Sequence, residues 1–324
     1  MMRNRIEDRG CRMQERVKPV MRCAPPQSSK GFTLVEMIIV IVITGIIGGI
    51  VAMFLRAPVQ GYVDSARRAE LTDIADTSLR RVARDLRLAL PNSVRVRNAA
   101  GTPCTDPLVA CYLEFIPTIG GGRYRAGEAG AGVAQCGSFA ADVLDFSAAD
   151  ICFQVLGQMP PVAVGDQIVV YNLGIPGADA YAGNTAATHN RRAVSGVGTS
   201  SISLTSAAAL PFDSCALDAG GFVVGGCRFQ VVQTPVTYVC TPMAGGAGGT
   251  LTRWQGYPIQ PTQPTSLPGG GSSATLATNV SACDFTYEGN VVAERSGLVT
   301  MHLTITEEGE SVTLYGATHV SNVP

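Results

Sequence analysis

The chain has 324 residues, with 24 Lys and Arg against 25 Asp and Glu and a formal net charge of −1. Nothing in that total points to nucleic acid, which would need a concentrated basic face. Charged residues make up only 15%, and the 37 Gly and 19 Pro gather after residue 90. Together they predict a strand-and-loop body rather than a helical one.

The first element is a basic stretch. Residues 1–30 carry eight Lys and Arg against three acidic side chains. An apolar run follows, Phe32–Leu55, with a single charge in it at Glu36. At 1.5 Å per residue that run makes a helix of roughly 36 Å, enough to cross a hydrocarbon core of about 30 Å. Basic flanking residues stay on the cytoplasmic side, so everything after Arg56 is expected outside. The cysteines agree. Cys11 and Cys23 precede the run and eight more follow it, at 104, 111, 136, 152, 215, 227, 240 and 283. No CxxC pair occurs among them, so the even set of eight predicts four disulfides in an oxidising compartment.

An ordinary secretory signal is cut after its apolar run, and "VAMFLRAP" offers no small-x-small site. The small residue lies before the run instead, at Gly31. "KGFTLVE" resembles the class III signal of type IV pilins and type II secretion pseudopilins. The resemblance implies that a prepilin peptidase cuts after Gly31 and methylates the new terminus at Phe32. It also supplies a role for Glu36. A carboxylate in hydrocarbon costs about 2.5 kcal/mol or more. In a filament of staggered parallel helices, Glu36 of one subunit can pair with the Phe32 amine of its neighbour and penalise other registers. The competing reading is a plain anchor whose Glu36 snorkels to the interface. Of the three starts Met1, Met13 and Met21, the last leaves the compact leader "MRCAPPQSSKG".

Gly45, Gly48 and Gly49 lie inside the run and Pro58 just beyond it. They suit close packing through small residues, or local loosening of the helix. Residues 59–90 continue as an amphipathic helix, with Ile74, Ser78, Val82, Leu86 and Leu90 in steps of four and Ala75 and Leu79 beside them. Ion pairs are expected at Asp64–Arg68, Asp76–Arg80 and Arg81–Asp85, and Pro91-Asn92 ends the helix.

Strands are predicted at 111–117, 143–146, 167–173, 201–205, 228–240, 298–306 and 311–320, where β-branched and aromatic residues cluster. The last two form a hairpin about Glu308–Gly309. "IGGG" (119–122), "AGGAGG" (244–249) and "PTQPTSLPGGG" (261–271) read as loops, the last mobile. Eight cysteines allow 105 pairings. The short "CTDPLVAC" segment favours Cys104–Cys111, and sequential pairing then gives Cys136–Cys152, Cys215–Cys227 and Cys240–Cys283.

No catalytic motif appears: there is no GxSxG, no HExxH, and no glycine run followed by Lys-Ser/Thr. In the hairpin His302 faces about Tyr315 rather than His319, so the two histidines read as strand residues, not ligands. Asp142, Asp145, Asp166 and Glu128 lack calcium-loop spacing. Neither a metal, a cofactor nor an enzyme activity is expected.

Residues 58–96 and the ending "THVSNVP", with "TLTRWQGYPIQ" and "LATNVSACDFTYEGN", are similar to the MshO-type minor pilins of mannose-sensitive haemagglutinin (MSHA) pili. That type is related to the minor pseudopilin J of type II secretion. The resemblance implies an α+β fold in four parts: a cleaved leader (1–31), a transmembrane helix half (32–56), an amphipathic half (57–91) and a periplasmic β body with disulfides (92–324). Implied partners are the major pilin and other minor pilins, the prepilin peptidase, the inner-membrane assembly platform and inner-membrane lipid, with no nucleic acid. Implied too are a role in priming assembly and a place near the pilus tip. A J-type pseudopilin, and a membrane-anchored extracellular binding protein, stay as alternatives.

Overall fold

The computed structural model describes residues 31–127, 143–147, 149–182, 190–205, 209–217, 223–288 and 295–324. It has the α+β composition expected: one long N-terminal helix followed by antiparallel sheets. The chain divides into two compact units, the first ending at Gly61 and the second spanning Tyr62–Pro324.

Helix α1 (Leu34–Leu86) continues unbroken through Gly45, Gly48, Gly49 and Pro58. It stops four residues short of the expected Leu90. Leu88 and Ala89 turn back on Asp85 and Leu86 with tighter i to i−3 bonds, and the Leu90 N–H then donates to Ile116 O. A strand-like partner outcompetes another helical turn there, and Asn92 takes the left-handed conformation (φ 57°).

Sixteen strands are present among the described residues. In chain order they are β1 (Arg95–Asn98), β2 (Cys111–Phe115), β3 (Thr118–Tyr124), β4 (Cys152–Leu156), β5 (Gln167–Val169), β6 (Arg191–Val197), β7 (Ser201–Leu204) and β8 (Ala216–Leu217). After these come β9 (Val223–Gly225), β10 (Arg228–Val232), β11 (Val236–Thr241), β12 (Thr250–Gln255), β13 (Ser272–Thr278), β14 (Val280–Glu288), β15 (Ser296–Glu307) and β16 (Glu310–Ser321). They form a five-stranded sheet β1-β2-β11-β12-β13, a closed six-stranded barrel β10-β3-β4-β7-β6-β5, the meander β14-β15-β16, and the small pair β8-β9.

Leu71, Ala75, Ser78, Leu79, Val82 and Leu86 are the buried stripe of α1. The apolar members pack with Leu113, Phe115, Tyr238, Phe285, Met301 and Leu303 in one core. Each such side chain contributes about 1.5–3 kcal/mol on leaving water, which fixes the helix on the meander and the five-stranded sheet. The ion pairs follow only in part. Asp76–Arg80 and Arg81–Asp85 form at 2.6 and 3.2 Å, but Arg68 turns to Glu310 at 2.6 Å and leaves Asp64 to Arg67 at 3.9 Å. Arg67 also bonds Glu308, so the "EEGE" turn is clamped against the helix.

Several strand expectations need correction. "IGGG" belongs to β3, not to a loop. A Cβ on Gly121 would stand 2.9 Å from Phe229 O, and one on Gly122 2.8 Å from the Phe229 ring, so these glycines permit close approach inside the barrel. Residues 143–146 are not a strand. Asp145 Oδ1 accepts from the Ser147 N–H, and Asp150 Oδ2 from the Asp145 N–H, in place of a ladder. The segment 228–240 splits into β10 and β11 because Gln233-Thr234-Pro235 carries the chain from barrel to sheet, and Pro235 has no N–H for a ladder. Residues 167–173 keep only β5, Tyr171 being left-handed (φ 52°). The 261–271 segment is tied down rather than loose. Arg95 donates to the Pro261 and Gln260 carbonyls at 2.8 and 3.0 Å, and Gln263 Nε2 to Tyr112 O at 3.0 Å.

Candidate functional site

Residues 31–63 form the apolar end of the chain, and every side chain there is exposed. The segment begins with a cap. Thr33 Oγ1 accepts from the Glu36 N–H at 3.2 Å, and Thr33 O accepts from the Met37 N–H at 3.2 Å. The helix therefore starts at Leu34, with Gly31 and Phe32 just outside it and Glu36 in its first turn. A carboxylate in that turn complements the positive end of the helix dipole. Sequence reading missed Thr33, although Thr-x-x-Glu ahead of an apolar run is a recognisable capping signal. Thr44, the other polar side chain of the run, returns its hydroxyl proton to Val40 O at 2.6 Å. Cβ atoms added at Gly45, Gly48 and Gly49 would meet nothing within 4 Å, so these glycines leave a smooth surface open to lipid or to another helix. Leu34–Leu86 is also long and apolar enough to cross a membrane.

Among the polar clusters of the described residues, two tie charged side chains to the five-stranded sheet. In the first, Glu114 is wholly buried on β2. It accepts from Arg95 Nε at 2.6 Å and Tyr257 OH at 3.0 Å, and the Arg95 guanidinium lies 3.7 Å over the Tyr181 ring. Burial raises the Glu114 pKa and Arg95 opposes it. In the second, Asp85 brings the helix's charge onto the sheet, accepting from Tyr238 OH at 2.7 Å and Arg253 Nε at 2.8 Å. Burial and the hydrogen bond to Asp85 both push the Tyr238 hydroxyl well above its ordinary range. Both clusters assemble across long stretches of chain and carry no local signature. Their groups are mutually satisfied, which suits scaffolding rather than proton transfer.

Disulfides link Cys104 to Cys111, Cys215 to Cys227 and Cys240 to Cys283. Cys152 is disulfide-bonded, while Cys136, its expected partner, lies outside the described residues, as do Asp142 and Glu128. Asp166 is engaged by the Ala163 N–H and by Gln233 Nε2. His302 pairs with Tyr315 across the hairpin, their rings stacked 4.8 Å apart, and its Nδ1 lies 3.1 Å from Asp284 Oδ2. His319 pairs with Leu298. Among the described residues, no group of His, Cys, Asp and Glu is arranged to hold a metal ion.

The geometry thus concentrates what is distinctive at the helix start. Residues 26–52 match the prokaryotic N-terminal methylation motif. The motif is the type IV pilin-like prepilin signal, and it supports membership of the pilin and pseudopilin family. Comparison with curated proteins and with solved structures gives no match. The motif, the apolar helix near the N-terminus and the disulfides fit a membrane-anchored pilin-like subunit.

Proposed function

We propose that the chain is a minor pilin of an MSHA-type type IV pilus, of the MshO type, acting in assembly near the pilus tip rather than in catalysis. The methylation motif across 26–52 carries the reading. Prepilin peptidase cuts between Gly31 and Phe32, and Phe32 becomes the N-methylated mature terminus. Residues 32–56 hold the subunit in the inner membrane with its body in the periplasm until it enters the filament. In the filament the Glu36 carboxylate meets the Phe32 ammonium of a neighbouring subunit, and that pairing sets the register.

Mass spectrometry of the protein purified from cells containing the peptidase tests the processing step. The expected terminus is N-methyl-Phe32, and an intact 1–31 leader refutes the reading. The motif also heads the pseudopilins of type II secretion. Deleting the gene is expected to abolish surface pili and leave exoprotein secretion intact; the reverse outcome assigns the chain to the secretion pseudopilus.

A further inference from the structure

We propose that β1 accepts an extended peptide from a partner protein as an added strand, apolar on one face and acidic on the other. Among the described residues, β1 pairs in its sheet only with β2. The Asn98 N–H donates away from β2, to Thr102 O at 2.8 Å. Antiparallel bonding alternates along a strand, so the Val96 N–H and C=O, two residues earlier, also turn away from β2. They form an open backbone edge of the kind that strand addition uses.

Two cavities flank this edge, of about 720 and 570 Å³, sharing Asn92, Val94, Arg95, Arg97 and Gly174 on their walls. Between them the chain is tightly drawn: Gly174 (φ 67°) approaches Asn92 so closely that a Cβ would sit 2.8 Å from Asn92 O. Both cavities have mixed walls; in the smaller, Val96, Ile175, Phe285 and Tyr287 form an apolar side opposite Arg95 and Arg97. The larger adds Asn98, Asp179 and Gln263 to the shared Arg97, beside Tyr112 and Tyr181. Successive side chains of a strand point to opposite faces, so a peptide beside Val96 would send alternate residues into the two cavities.

The shared Arg97 states the charge of the occupant. Arg95 is already committed to Glu114. Arg97 is exposed, and its one hydrogen bond is to Gly101 O at 3.1 Å. Gln263 adds a buried Oε1 with no hydrogen-bond partner, while its Nε2 is held by Tyr112 O. A peptide carboxylate reaches Arg97, and a peptide N–H or side-chain amide satisfies Gln263.

The test uses the full chain in detergent micelles and two fluorescent nonapeptides, one alternating valine with glutamate and one alternating valine with lysine. The Val/Glu peptide is expected to bind, to slow hydrogen exchange at the Val96 amide, and to lose at least tenfold in affinity when its backbone nitrogens on one edge are N-methylated. Arg97→Glu is expected to weaken the Val/Glu peptide at least tenfold and to favour the Val/Lys one. No binding by either peptide, equal binding of the N-methylated form, or binding that leaves the Val96 amide unprotected overturns the proposal. So does an unchanged preference in Arg97→Glu. Concentration-dependent protection of Val96 without peptide overturns it in favour of a second copy of the chain.

Discussion

Replacing Arg95 with leucine strands the Glu114 carboxylate, which has no exposure to solvent and takes its charge-assisted bond from Arg95 Nε at 2.6 Å. Removing one partner of a buried ion pair costs about 3–5 kcal/mol, because the remaining charge stays desolvated. The same change frees the Gln260 and Pro261 carbonyls and removes the cation from the Tyr181 ring, so the upper half of that range is expected. At about 2–4 °C per kcal/mol for a domain of this size, the melting temperature should fall by about 10–15 °C. Without the guanidinium, burial is opposed only by the Tyr257 hydrogen bond, and the folded-state pKa of Glu114 rises further above the unfolded value. A carboxyl group shifted upward destabilises most when ionised in the unfolded chain. The deficit should therefore be largest near neutral pH and shrink as pH falls toward the ordinary carboxylate pKa. Thermal unfolding of the wild type, Arg95→Leu, and Arg95→Leu combined with Glu114→Gln across pH 4–8 measures it. The double variant should regain much of the loss, since it removes the stranded charge. A deficit independent of pH, with no recovery in the double variant, would refute the electrostatic account.

Leu86→Ala should cost about 2–5 kcal/mol in urea unfolding, since its side chain is fully buried between the helix and the sheet core. Removing Cys240–Cys283, which spans 43 residues, should cost about 4 kcal/mol, and removing Cys104–Cys111, which spans 7, nearer 2 kcal/mol; equal losses would contradict the chain-entropy argument. Hydrogen bonding to Arg68 holds the Glu310 pKa below its ordinary value. The clamp's contribution is thus present above the unfolded pKa and lost as pH falls through the folded one, so acidification should lower the hydrogen-exchange protection factors at the β15–β16 turn, corrected for the intrinsic rate, and Arg68→Gln should remove that dependence. Glu36→Ala should leave the subunit in the membrane and reduce its incorporation into pili, read by immunoblot of sheared filaments; normal incorporation argues against the register role.

The legible parts of this fold are those written over short distances. The four-residue steps of the stripe mark α1, and the alternation of Met301, Leu303 and Ile305 marks β15 and places His302 opposite Tyr315. The barrel is different in kind. Its strands are three to seven residues long and pair with segments far away in sequence, as when Gln230 faces both Gly121 and Val169. A glycine run has the same local appearance whether it turns in solvent or slides past a phenylalanine, so β3 passes for a loop until Phe229 is in place. The helix start is legible twice over, in the Gly31-Phe32 junction and in the Thr33 cap. Neither the Arg95–Glu114 pair nor the open edge of β1 leaves any mark in the sequence nearby.

The hairpin that covers the second half of the helix lies far downstream of it in the chain. Leu71 and Leu79 share their core with Val299, Met301, Leu303 and Val320, and Arg67 and Arg68 reach residues some 240 positions downstream. A nascent polypeptide emerging N-terminus first would carry its greasy stripe uncovered until β15 and β16 had been made. Products truncated ahead of β15 would present that stripe to chaperones and proteases.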